Sequence, residues 1–441
     1  MAAAAPAGRT ADHPLRRRRA ELVEDVRARQ DAARPRQAAG VGGRGRRPVR
    51  RVAAGAPVNR RATTAAAVGY LGLQAAKAAI TLRTASRAPA AVEPGPAEIG
   101  KVVVVQPILS GDPGLEDALR DNLLSLDGAR FCWLVDEDDP EAQRIVGRLR
   151  DQLARSGATG TRLDIRICPP APDGTNPKLA KLQPALDEAA DDEVFLVLDD
   201  DTRLPRASLG ALLGGLERAT LATGLPAYLP GGTPWAQLVE QFVDNNAAMT
   251  YLTLDPVTIN GMTWAMRVRD LRALGGFTPI LRNLTDDLAV AGAVQRTGGT
   301  ICQTASPQWI TTTVDSPGAY VRLLHRWMLF ANLLLRRQPL RTVAAISVLH
   351  GTHPNLLWAV LLGTVRERRP ALLATVLGGR FLLLRLVQRR IYGRPLHRPG
   401  ISLVSELVQP LHLGHGAVQR TIRWRTHTYR VVADDDFREV R

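Results

Sequence analysis

The sequence predicts an α/β fold built on a mostly parallel sheet with helices on both faces. Two observations carry that prediction. From residue 102 onward, short apolar runs rich in Val, Leu, Ile and Phe alternate with helical stretches, the pattern of strands buried on both faces. Acidic residues then emerge at the ends of those runs. The plainest case is 194–205, where V-F-L-V-L leads into Asp199, Asp200 and Asp201. Open parallel sheets place their ligands beyond the carboxyl ends of the strands. Three adjoining carboxylates repel one another unless something cationic sits among them. A divalent metal holding a diphosphate meets that need, because hard cations prefer oxygen ligands. Taken alone, the triplet reads equally well as a solvated acidic turn.

The elements follow in order. Residues 1–61 are rich in Ala, Arg, Gly and Pro, bury no core, and read as a disordered basic tail. No apolar stretch follows the 16–19 arginine run closely enough for a secretory leader. Residues 62–82 form a small-residue apolar stretch interrupted by Lys77, a possible membrane-associated helix that leads into a Pro-containing linker, 88–96. The catalytic domain is expected at 99–318. Its strands are expected at 102–105, 131–135, 163–167, 194–198, 263–267 and, last, 300–313. Its helices are expected at 141–156, from 179, at 234–249 and at 288–295. From 319 the chain turns to Arg-studded apolar helix. The segment 343–363 carries no formal charge and is long enough to span a bilayer. Segments 371–387, with Arg380 and Arg385, and 401–418, with Glu406, read as interfacial or re-entrant helices.

Charge is distributed unevenly. The net +16 splits into +11 over 1–61, +14 over 321–441 and −9 between them. An acidic centre argues against a nucleic-acid-binding core; basic ends suit an anionic lipid surface. Only four of the 58 basic residues are lysine, so part of the arginine excess is a compositional habit. Cys132, Cys168 and Cys302 lie far apart without metal spacing and read as reduced core residues on a cytosolic face. His350, His353, His412 and His415 lack acidic or Cys partners at ligand spacing and read as packing or interfacial residues.

Three acidic positions stand at or beside expected sheet ends: Asp136, the Asp199/Asp201 pair and Asp287. A sugar transfer from a nucleotide diphosphate needs the base and ribose held, the leaving diphosphate neutralised and the acceptor hydroxyl deprotonated. Asp136 suits the first task. Asp199 and Asp201, bridged by Mg2+ or Mn2+, suit the second, and Asp287 suits the third as general base. Asp286 or Asp287 serving as a helix cap is the plainer alternative. Lys178 reads either as a phosphate partner or as a surface lysine. Gly261 and Met262 read either as a close backbone approach to sugar or acceptor, or as a turn.

These blocks together resemble the ceramide glucosyltransferases and their bacterial relatives, glycosyltransferase family 21, from about 102 to 335. The resemblance rests on V-V-V-Q-P at 103–107, V-D-E-D-D-P at 135–140, G-T-N-P-K at 174–178, L-D-D-D-T at 198–202 and G-L-P at 224–226. It continues through L-V-E-Q at 238–241, N-G-M-T at 260–263, L-G-G-F at 274–277, T-D-D-L-A-V-A at 285–291 and H-R-W at 325–327. W-R-T-H-T-Y-R at 424–430 is similar to the family's C-terminal motif. The resemblance implies a GT-A fold followed by membrane-associated helices. It also implies an inverting transfer from a UDP-sugar, UDP-glucose foremost, to a lipid hydroxyl on the cytosolic membrane face. Asp136, Asn176, Lys178, Asp199, Asp201, Gly261 and Met262 would then bind the nucleotide-sugar, with Asp199 and Asp201 holding the metal. Asp287 would be the base, and Arg326 and Trp327 would match the R-W box. The first position of that box falls on Leu323, with Arg322 one residue away. Two alternatives remain: a processive polysaccharide synthase, which shares the aspartates and the R-W box, and a non-catalytic membrane scaffold.

Overall fold

The computed structural model describes residues 60–155, 160–424 and 427–440. The tail expected at 1–61 lies outside them apart from its last two residues. Those two open a 26-residue helix, α1 (Arg60–Ala85), which is followed by a single turn, α2 (Pro96–Ile99). Then come β1 (Val102–Ile108), α3 (Leu115–Ser125), β2 (Arg130–Asp136), α4 (Pro140–Arg155), β3 (Arg162–Cys168), α5 (Pro177–Asp187) and β4 (Val194–Leu198). β5 (Thr202–Arg203), α6 (Arg206–Leu216), β6 (Leu221–Tyr228), α7 (Pro234–Asp244), α8 (Ala247–Tyr251), β7 (Thr263–Arg267), α9 (Val268–Ala273), α10 (Asp286–Arg296) and β8 (Ile301–Ile310) complete the catalytic part.

The sheet runs in the order β3-β2-β1-β4-β7-β6-β8-β5. β3, β2, β1 and β4 are mutually parallel, β7 is antiparallel to both its neighbours, and β6 and β8 are parallel. This is the GT-A arrangement that the resemblance implied. Alternation along the strands feeds two cores. Val102, Val104, Leu196 and Leu198 face one helical layer, while Val103, Val105, Phe195 and Val197 face the other. Phe195, Trp264 and Phe277 pack tilted against one another with centroids 5.9–6.5 Å apart, which fixes β4 against β7.

One element is new here and one expectation changes. The segment around 224–226 is a full strand, β6, despite Pro226. Pairing with β7 covers only Leu221–Thr223, so the missing N–H of Pro226 faces no β7 acceptor. The single helix expected over 234–249 breaks after Asp244 into α7 and α8.

The C-terminal part also differs. α11 (Pro317–Arg336) is followed by α12 (Leu340–Ile346), a π-turn at Ser347–Gly351, α13 (His353–Glu367), α14 (Pro370–Tyr392) and α15 (Pro399–Val418). The span expected at 343–363 is therefore broken. Gly351 loosens the backbone, and Pro354 has no N–H for a preceding turn, so it sits in the first turn of α13. The pieces of 7 and 15 residues are too short for a bilayer core of about 30 Å. Among the described residues, the helices long and apolar enough to cross a membrane are instead α1 and α14. Arg380 of α14, which argued against a clean span, donates from Nε to Glu406 of α15 at 2.7 Å. Tyr70 of α1 and Nδ1 of His353 meet the same carboxylate at 3.0 and 2.8 Å. Arg380 and Glu406, which each looked disqualifying in isolation, are thus partners inside the bundle. α1 and α14 also pack, through Ala78, Leu384, Val387 and Tyr392, on Leu225 and Ala227 of β6. Nor is β8 the last strand. β9 (Thr421–Trp424), β10 (His427–Val431) and β11 (Phe437–Glu439) form a small antiparallel sheet, to which the W-R-T-H-T-Y-R segment gives Trp424 and residues 427–430.

Candidate active site

β2, β4 and β1 end at the same edge of the sheet, and antiparallel β7 begins there, with Leu198 registered on Thr263. Asp136 leaves β2, the Asp199–Asp201 triplet leaves β4, and Gly261 and Met262 lead into β7. Asp286 and Asp287 open α10 behind them. The link is Lys178 in the first turn of α5. Its Nζ donates to Asp199 Oδ1 at 2.7 Å and to the Gly261 carbonyl at 3.2 Å, and it lies 2.7 Å from Asp286 Oδ2. The Asp286 contact is an ion pair without hydrogen-bond alignment. Gly261 lets α10 come close: a Cβ on it would stand 3.3 Å from the Cβ of Asp287. The Met262 carbonyl accepts from Asp199 N at 2.8 Å, so β7 holds the start of the triplet.

The triplet divides its duties. Asp200 turns away, its Oδ2 accepting from Leu109 N at 2.7 Å. Asp199 and Asp201 stay on the crevice side, Asp201 accepting from Thr202 Oγ1 at 3.0 Å. Burial pushes Asp199, Asp200 and Asp201 each up to about 7, with neighbouring carboxylates adding to it. Burial, then Asp286, raises Asp287 to about 7 as well. Solvent still reaches the group, since Asp199 keeps 31% of its side-chain surface exposed. Burial works to lower the Lys178 ammonium, but Asp199 and Asp286 outweigh it and hold it above its usual range.

Arg326, on α11, faces the same crevice. Burial lowers its guanidinium, while Tyr228, Asp201 and Asp199 pull it the other way. Trp327 beside it is half-buried and packs on Phe242 with centroids 6.1 Å apart, in a cluster with Tyr228 and Met262. Arg322 lies one turn earlier on α11 and is exposed, and Leu323 packs into that cluster. Asp136 is paired through both oxygens with Lys181 at 2.9 Å. Asn176 is buried, at 1% exposure, and does not offer a free group to a ligand. Its oxygen caps α5 through Lys178 N and Leu179 N, and its amide donates to the carbonyls of Asn283 and Leu284.

Sequence reasoning missed Lys181, Asp286 and Tyr228. A signal existed for Lys181: two of the chain's four lysines stand three residues apart on one helix, where i and i+3 share a face. Nothing in the sequence marks Tyr228.

Residues 62–436 match glycosyl transferase family 21. The chain belongs to that family. Among solved structures, this family-21 glycosyltransferase is similar to the mannosyltransferase PcManGT from Pyrobaculum calidifontis in complex with GDP-Man and Mn2+. That match has 16% identity over 81% of this chain and 97% of that one, with a TM-score of 0.45. It is also similar to a mycobacterial protein, at 15% identity over 54% of this chain and 79% of that one, with a TM-score of 0.29. No curated protein matches it.

Among the described residues of this glycosyltransferase, no three His, Cys, Asp or Glu side chains converge as a ready metal cage. Asp199 and Asp201, adjoining carboxylates that burial raises to about 7, fit the other kind of site. There a cation takes one or two carboxylates and completes its shell with water and substrate phosphate. Lys178→Ala would leave Asp199 and Asp286 without their shared cation. It is expected to destabilise the fold by roughly 2 kcal/mol, below the 3–5 typical of a fully buried broken pair because solvent reaches these carboxylates. Thermal melting in detergent checks this. An unchanged melting temperature would mean that the lysine contributes no net stability.

Proposed function

We propose that the chain moves a hexose from a UDP-sugar, UDP-glucose foremost, to a lipid hydroxyl, with inversion, at the cytosolic face of a membrane. The observation that supports this reading is the set of charged side chains at one end of the sheet. Asp136 ends β2, Asp199 and Asp201 follow β4, Asp287 opens α10 against Gly261, and Arg326 feels Asp199, Asp201 and Tyr228, the last residue of the β6 strand on which the two membrane-length helices pack. A polar reaction centre thus lies next to an apolar bundle, as a lipid acceptor requires.

Asp136, held by Lys181, would accept hydrogen bonds from the uracil or ribose. Asp199 and Asp201 would hold Mg2+ or Mn2+, which, when bound, supplies Lewis-acid neutralisation of the leaving diphosphate. Arg326 adds a guanidinium to the same oxygens, and Lys178 stands between the diphosphate side and the base side. Gly261 and Met262 form the floor, bringing backbone close to the sugar. Trp327 contributes an aromatic wall near the acceptor. Asp287, with a pKa near 7, is matched to taking the acceptor's hydroxyl proton at neutral pH. Asn176 acts from behind by fixing the loop ahead of α10.

The test is a donor and acceptor screen on membranes from cells expressing the chain, read by mass spectrometry of lipids. One hexose added to a hydroxyl lipid from a UDP-sugar is the expected product. A polymer, a water-soluble product or dependence on a GDP-sugar would overturn the reading.

A further inference from the structure

The residue that fixes the start of α10 comes from the other end of the chain. Thr285 stands at the helix N-cap, where a threonine hydroxyl ordinarily caps the first turn, yet its side chain makes no such bond. Its hydroxyl instead donates to Oδ1 of Asp434, 149 residues away, and its backbone N–H donates to the same oxygen at 2.8 Å. Leu284 N donates to the Asp434 carbonyl at 2.7 Å, and Asn283 Nδ2 to Asp434 Oδ2 at 2.8 Å. Arg337, just past the end of α11, reaches the same Oδ2 at 3.5 Å. Asp434 is fully buried. It lies in the tight turn between β10 and β11, closed by Val432 N and Ala433 N on the Asp436 carbonyl. Leu284 packs beside Leu329 and Leu333 of α11 and Ile422 and Val431 of the small sheet. A buried carboxylate taking donors from Asn283, Thr285 and a guanidinium, with the carbonyl of the same residue taking Leu284 N, is a strong, directional anchor.

We propose that Asp434 is a positioning residue for sugar transfer: the C-terminal sheet clasps residues 283–285 and thereby sets where Asp287 stands. This rests on the reading of Asp287 as the base. The clasp joins α11, which carries Arg326, to the loop that launches Asp287, so one side chain registers the two halves of the crevice. Asp434 touches no reactant in this account and acts through the loop alone.

The test measures transfer kinetics and UDP affinity in the full chain. Asp434→Ala should lower kcat about tenfold, with the KM for donor and the Kd for UDP within twofold. Should that variant fail to fold, Thr285→Val removes one bond from the loop side and should show the same split. Thr285→Ser keeps the hydroxyl and should retain the rate. Asp435→Ala, at the exposed neighbour of Asp434, should leave kcat unchanged. In an Asp287→Asn background, Thr285→Val should cause no further loss, because the residue it positions is already disabled. Full activity in Thr285→Val, a loss shared equally by UDP affinity, or a further multiplicative loss in the Asp287→Asn background would each overturn the proposal. If Asp287→Asn itself retains activity, the base reading fails first, a separate result.

Discussion

Asp287→Asn is expected to cut the transfer rate by about 10³-fold, in the middle of the range for loss of a positioned acid or base, while UDP affinity stays within twofold. The substitution is close to isosteric. Asp287 accepts from Leu288 N at 2.8 Å through Oδ1, a bond that an asparagine oxygen also accepts, so α10 should start where it does now. Removing the charge relieves the repulsion with Asp286. What disappears is the capacity to take a proton. In the unsubstituted enzyme, the rate of the bound complex (kcat) should fall as pH drops below about 7, because the carboxyl is then protonated. With metal and nucleotide bound, Asp199 and Asp201 are held ionised and leave the acid limb to Asp287. The checks are single-turnover transfer across pH and calorimetric UDP binding. Activity within tenfold of the unsubstituted chain would move the base elsewhere.

The parts of this site that were legible in the sequence are those where local chemistry and tertiary demand coincide. The run V-F-L-V-L forces a strand buried on both faces, so the Asp199–Asp201 triplet has to appear at its end. The T-D-D-L-A-V-A block sets acidic residues ahead of an apolar helix, and α10 begins within it. Features that depend on long-range partners stayed hidden. Arg380 and Glu406 each look disqualifying for a membrane-length helix until the fold pairs them. Pro226 argues against a strand until the neighbouring ladder is seen to stop short of it. Asn176 sits in a motif that invites a ligand-binding role, yet its capping geometry engages it inside the fold. The small C-terminal sheet is built of strands of three to five residues, too short for periodicity to mark. The family resemblance flagged that segment without assigning it a shape.

Asp201→Ala is expected to weaken metal-dependent UDP binding at least tenfold at pH 8 and to leave binding in EDTA unchanged. A carboxylate about 4 Å from a unit cation contributes ~4 kcal/mol at an effective dielectric of 20, before desolvation is subtracted. Protons compete for the same oxygens. Metal-dependent affinity should therefore fall as pH drops below about 7, the value to which burial and neighbours raise Asp199 and Asp201. The same shift predicts an opposite trend in stability. A carboxylate raised from its usual range near 4 to about 7 on folding binds more protons in the folded than in the unfolded state between those limits. Stability without metal then falls as pH rises through that window. Asp201→Asn should consequently raise the melting temperature of the metal-free chain most at pH 8, about half as much at pH 5.5 and little near pH 4, and saturating Mn2+ and UDP should remove the benefit. Equal UDP affinity with and without chelator, in both the unsubstituted chain and Asp201→Ala, would sink the metal assignment. A melting temperature at pH 8 indifferent to Asp201→Asn would show that the triplet carries no repulsion for a cation to relieve.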